Sequence, residues 1–168
     1  MDGSLAALSG HVGQGVDMIG GSGRGDADCL GSGTAMASLI VAQPGVDGNV
    51  KGIAPEAIVL PVRVAGNDSK VQPADGAAAV EAAAKAGATV IALGRFVDPG
   101  KPAVAQAIAA AVDKGVVVVA SAPLGSEAVD PQAAIGAGVL RVARSATTTN
   151  GPPTIEAAPS TWLRPAST

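Results

Sequence analysis

Between residues 57 and 121 the chain alternates, across short linkers, between β-branched apolar runs and alanine-rich stretches closed by glycine. That alternation constrains the fold more than any other feature. "AIVLPVRV", residues 57–64, reads as a strand, and Pro61 inside it predicts an irregularity or an exposed N–H side. "PADGAAAVEAAAKAG" opens on Pro73 and closes on Gly87, the proline-first, glycine-last order of a helix. "TVIALG" follows as a buried strand. A second helix is predicted from about Pro102 to Lys114, with Val104, Ile108 and Val112 on one face and Gly115 closing it. "VVVVAS", residues 116–121, is apolar almost throughout, as expected of a parallel strand covered on both faces. The result is two successive βαβ units with right-handed crossovers. "GVLRVAR" and "TIEAA" supply two further short strands. The predicted fold class is α/β, a three-layer α/β/α sandwich with a mainly parallel sheet. It forms one domain over residues 1–168, with no internal repeat.

Upstream, residues 1–33 are rich in Gly, Ser and Asp, which predicts surface loop with one short strand around Val16-Asp17-Met18-Ile19. "TAMASLIVAQ", residues 34–43, predicts a buried helix stopped by Pro44-Gly45. Aromatics make up only 1% of the chain, so the core must be built from Ala, Val, Ile and Leu, and stacking platforms for bases or sugars are lacking. A net charge of −3 argues against a nucleic-acid partner. No apolar run approaches the roughly 20 residues of a membrane span. No basic-plus-apolar leader opens the chain, so with Met1 as the natural start the expected location is the cytoplasm.

Several local motifs have bland readings. "GGSGRGD" lies too far from the helix at Thr34, and lacks the Gly-Lys-Ser/Thr ending, to be a phosphate loop. Arg24-Gly25-Asp26 matches an adhesion tripeptide by pattern only. His11 and Cys29 are the only His and Cys, so no zinc cluster is expected, and one cysteine makes no intrachain disulfide. Asp17, Asp26 and Asp28 read as solvated loop carboxylates rather than calcium ligands. Cys29, in an acidic loop, has no evident reason to be a thiolate. No cofactor and no metal are expected.

"DADCLGSGTAMASLIVA" resembles the catalytic-histidine region of subtilisin-like serine proteases, and among them the mycosins associated with type VII secretion in actinobacteria. The mycosin segment runs Asp-Cys-Asp-x-His-Gly-Thr into a small-residue helix. Asp28, Cys29, Gly33 and Thr34 match, Leu30 stands for the second aspartate, and Ser32 stands for the histidine. "VKGIAPEAIVLPVRV", "AAKAGATVIALG", "AVDKGVVVVASAPLG", "GVLRVARS" and "IEAAPS" resemble later family segments in the same order. The resemblance implies a subtilisin-like fold whose chemistry has been lost. Asp2, in "MDGSL", is the candidate for the catalytic aspartate. Leu124 falls where the family holds its oxyanion asparagine, and Ala92 and Gly94 where it holds an asparagine and a substrate-lining serine. The Gly-Thr-Ser-x-Ala nucleophile segment is not found, and Ser167 lacks its context. Cys29 matches a mycosin cysteine that is normally disulfide-paired, and without its partner it is expected to be a free thiol. Ser32 is expected to cap the helix that follows it, with a new Ser32–His11 nucleophile as the lesser reading.

The resemblance thus implies a shortened pseudo-protease acting as a scaffold or as a protein- or peptide-binding module. Self-association through uncovered sheet edges is a further expectation. The alternatives are a fragment or paralogue of a mycosin-like serine endopeptidase, and a purely structural core of high thermal stability.

Overall fold

The computed structural model describes residues 1–44, 51–121 and 138–142. In chain order it comprises a short 3₁₀ helix (Ala6–Leu8), β1 (Val16–Asp17), α1 (Ser32–Val41), β2 (Val62–Arg63), α2 (Pro73–Lys85), β3 (Val90–Ala92), α3 (Pro102–Val112), β4 (Val117–Ser121) and β5 (Val139–Val142). All strand pairings are parallel: β1 with β2, and β3–β4–β5 in that order. Pro61 interrupts its strand as expected. Upstream of it only a bridge between Val12 and Val59 forms, and downstream lies β2. The expected "TIEAA" strand lies outside the described residues.

Helices α2 and α3 have the same design. Each opens with a proline in its first turn. Each buries one stripe at i, i+3, i+4 and i+7: Gly76, Ala79, Val80 and Ala83 on α2, and Val104, Ala107, Ile108 and Ala111 on α3. Each closes on a glycine at positive φ, 84° at Gly87 and 83° at Gly115. The carbonyls of Ala83 and Ala111 accept from the N–H just beyond that glycine, in Ala88 and Val116. Small side chains let the two helices approach closely, and a Cβ on Gly76 would stand 3.3 Å from both Val104 and Val97.

The main core lies between these helices and one face of the sheet, where Ile91, Leu93, Val118 and Ala120 meet Val80, Val104 and Ile108. Val62 of β2 and Val64 just beyond it join this core. Val59 faces the other way, into a smaller cluster with Leu8, Ala37 and Val41. Side chains alternate along a strand, so along the 59–64 run α1 lies on the face of Val59 and α2 and α3 on the face of Val62 and Val64. These are the three layers of the sandwich.

Two expectations about burial are corrected. Helix α1 buries only Ala37 and Val41 and leaves Leu39 64% exposed, because it packs through one narrow stripe on Leu8, Val12 and Val59. Among the described residues, strands β3 and β4 are covered on one face only. Val90 and Val117 are exposed because, among the described residues, α2 and α3 cover only the opposite face of these strands.

Candidate functional site

In parallel α/β sheets, ligands bind beyond the carboxyl ends of the strands. Here that rim holds Asp17 at the end of β1, Arg63 at the end of β2, and the loop that enters α1. Gly15 admits the β1 strand to this place, since a Cβ there would overlap the Pro61 carbonyl.

Asp17 Oδ1 accepts the N–H groups of Ile19 at 2.9 Å and Gly20 at 3.0 Å. Arg63 Nη1 donates to Asp17 Oδ2 at 2.9 Å, and both side chains are largely buried. The Gly20 N–H, then that of Ile19, then Arg63 hold the Asp17 carboxyl below its ordinary range, against the opposing effect of burial. Arg63 Nη2 reaches Cys29 Sγ at 3.6 Å. The guanidinium therefore ties β1 to the loop before α1. Its Nε is buried with no hydrogen-bond partner among the described residues. Cys29 is an exposed free cysteine, and its loop is not purely acidic, since a cation sits beside the sulfur.

The expectation that Ser32 caps α1 is corrected. Ser32 is already the first helical residue, and the preceding position is Gly31 with φ 72° and no side-chain cap. The capping falls to Asp28, one turn upstream. Its Oδ1 accepts from the N–H groups of Leu30 (3.1 Å) and Gly31 (2.9 Å). Its Oδ2 accepts from the Thr34 N–H (2.8 Å) and hydroxyl (2.6 Å). Burial alone would raise this carboxyl, but the Thr34 hydroxyl and the three N–H donors outweigh it and bring the pKa to about 2.

The other predicted residues disperse. Asp2 lies in a loop, its carboxylate accepting from the Ser4 hydroxyl and N–H, and only its backbone N–H reaches toward α1, at Thr34 Oγ1, 2.7 Å. Asp2 thus stands in a loop, whereas Asp17 is carried on a strand. In the sequence, Asp17 is marked by the Val16-Asp17 pair followed by Gly20. His11 Nδ1 lies 3.0 Å from the Ala57 carbonyl, fastening the loop beside the Val12–Val59 bridge. Ala92 is exposed at the end of β3, and a Cβ on Gly94 would meet open space. Leu124 and Ser167 lie outside the described residues. Asp17, Asp26 and Asp28 do not converge. Asp26 pairs with Arg24 at 3.5 Å, and no group of three His, Cys, Asp or Glu side chains forms among the described residues.

Beside Asp17, a concavity of about 370 Å³ opens between the ends of β1 and β2 and the start of α2. Apolar Met18, Ile19 and Val64 line it together with polar Asp68, Lys70, Gln72 and Asp75. Among the described residues, no helix is long and apolar enough to cross a membrane.

A three-layer sandwich with a parallel sheet, an aspartate at the end of its first strand, and a Gly-Thr turn opening a small-residue helix define a subtilisin-like domain. The subtilase family model matches residues 17–137, beginning on Asp17, and the chain belongs to that family. Sphericase is similar in structure at a TM-score of 0.61 and 27% identity, over 72% of this chain and 42% of that one. MycP1, solved with its N-terminal propeptide removed, is similar at a TM-score of 0.53 and 28% identity, over 66% of this chain and 37% of that one. The epidermin leader peptide processing serine protease from Staphylococcus aureus shares the fold at a TM-score of 0.60 and 21% identity, over 73% of this chain and 34% of that one. This chain thus spans between 34% and 42% of these solved proteases. No curated protein matches it significantly.

Proposed function

We propose that this chain is a non-catalytic subtilase domain that keeps the protease fold as a scaffold or a protein- or peptide-interaction module. The observation that carries this reading is the first turn of α1. The resemblance puts Ser32 at the position of the family's histidine, and a serine hydroxyl cannot act as general base near neutral pH. The chain's one imidazole, His11, is engaged at the Ala57 carbonyl. Asp17 corresponds best to the family's aspartate, since Val16-Asp17 with Gly20 follows the Ile-Asp-x-Gly pattern one residue longer. In triad logic that aspartate orients an imidazole. Here it holds the Arg63 guanidinium instead. The concavity beside Asp17 is the natural seat for a peptide side chain.

A fluorophosphonate probe tests the catalytic half of this reading. The expected result is no covalent adduct, and labelling of any serine in the chain overturns it. Isothermal titration with unstructured peptides tests the binding half, where heats of binding are expected and their complete absence counts against it.

The second reading is a part of a mycosin-like serine endopeptidase whose remaining segments complete the site. It is favoured by the 34–42% span of the solved proteases. It would connect the chain with type VII secretion in an actinobacterium. Labelling that appears only when further protease chain is supplied would decide for it. Self-association through the edges of the β3–β4–β5 sheet, unpaired among the described residues, belongs to the interaction-module reading, and light scattering measures it.

A further inference from the structure

The charges around the concavity beside Asp17 do not balance. Asp17 itself is matched by Arg63 at 2.9 Å. Three other charged side chains line the space, the carboxylates of Asp68 and Asp75 and the ammonium of Lys70. Among the described residues none of these three takes part in an ion pair. Two carboxylates against one ammonium leave the lining negative. Another part of the wall is apolar, formed by Met18, Ile19 and Val64, with Ile19 50% exposed. Gly66 joins the two parts. A Cβ there would stand 3.6 Å from Asp68 Oδ1 and 3.8 Å from Ile19 Cδ1, so the missing side chain leaves one opening bordered by both a methyl and a carboxylate oxygen.

We propose that this concavity takes one basic side chain of a bound peptide, arginine or lysine, with its methylene stem on Met18, Ile19 and Val64 and its cation at Asp68 and Asp75. The inference rests on the cleft being a peptide seat and adds the class of residue it selects. Chemistry decides the occupant. Arginine and lysine combine an apolar stem with a cationic head, which matches a wall that is apolar in one part and anionic in another. An aliphatic residue would cover the apolar part but strip water from the carboxylates with nothing in return. An acidic residue would meet Asp68 and Asp75 as like charges. Lys70 does not cancel the preference. Its ammonium rides on a flexible four-carbon stem and can swing into water, whereas the aspartates are short. Asp68 is also held by its own loop: its Oδ1 accepts the Lys70 N–H at 3.4 Å, and the Ser69 N–H closes on the Gly66 carbonyl at 3.4 Å. Asp75 lies in the first turn of α2, where the helix favours a negative charge. The volume of about 370 Å³ lies near the lower end of small-ligand sites, about 300–1,000 Å³, and suits one long side chain with its flanking peptide units.

The test is a titration of capped glycine–serine pentapeptides, carrying one central arginine, lysine, norleucine or glutamate, into methyl-labelled protein at low ionic strength. Methyl shifts are expected at Met18, Ile19 and Val64. The arginine and lysine peptides should bind about fivefold tighter than the norleucine peptide, as two exposed ion pairs allow, and the glutamate peptide should bind weakest. Asp68→Asn combined with Asp75→Asn should bring the basic peptides down to the norleucine level, while the norleucine peptide binds no more weakly than before and so shows the cleft intact. Lys70→Ala should tighten the basic peptides about twofold, and loosened binding would overturn the proposal. It is also overturned by equal affinity for arginine and norleucine, by a preference for glutamate, by insensitivity to the double substitution, or by shifts confined to other methyls, and each of these leaves the peptide-module reading standing. Binding by none of the four peptides overturns it as well, and isothermal titration with longer unstructured peptides then decides that reading separately.

Discussion

Asp28 shows what a single carboxylate does for this fold. It collects four donors at the start of α1, and its pKa falls from the ordinary 3.8 to about 2. Because the folded pKa lies below the unfolded one, the stabilisation is complete above about pH 4 and is lost as pH falls toward about 2. Asp28→Ala should cost about 1–2 kcal/mol at neutral pH, read from the denaturant midpoint, and the variant should lose less stability on acidification than the parent. Arg63→Met isolates the ion pair. Asp17 keeps its two N–H donors but loses the cation, so its titration by carboxyl carbon NMR should move upward; an unchanged value would show that the backbone donors alone set it. The matching residues Asp28, Gly33 and Thr34 were legible as a helix entry. The capping role of Asp28 was not, because a cap is defined by which oxygen reaches which N–H, and Ser32 stood nearer in sequence. The role of Arg63 was not legible for a similar reason: its partners are 46 and 34 residues away.

At the scale of elements, α2 and α3 were legible nearly to the residue. Local chemistry specifies them: proline sets the first turn, glycine takes the left-handed closing position, and the apolar stripe repeats with the helical period. What the stripe cannot tell is how closely two helices approach. Gly76 decides that here, and Gly76→Leu should overpack the contact with Val104 and Val97 and cost about 1–3 kcal/mol, measured by chemical denaturation. A change within a few tenths of a kcal/mol would mean that the helix pair can separate freely. The short strands were harder. The 57–64 run is apolar along most of its length, yet Pro61 leaves only Val62–Arg63 in regular pairing, because pairing needs an N–H at each ladder position and a neighbour in register.

For the molecule as a whole, stability should be uneven. The main cluster joins α2, α3 and the three-stranded sheet, whereas α1 is held by the smaller group around Leu8, Ala37 and Val41. Native-state hydrogen exchange should therefore find the slowest amides in β4 and α3, with those of α1 and β1 opening at lower free energy; equal protection across both groups would contradict this division. The sequence by itself determined the α/β class, the order of the elements and the family, since these rest on periodicity, helix punctuation and motif order, all written along the chain. It also carries the resemblance that places Ser32 where the family holds its histidine. Only the tertiary structure decided that Asp17 rather than Asp2 stands on a strand, that Arg63 pairs with it, that Asp28 caps α1, and that among the described residues one face of the β3–β4–β5 sheet is uncovered. Each of these depends on groups far apart in sequence meeting, or failing to meet, in space, and no local pattern encodes that distance.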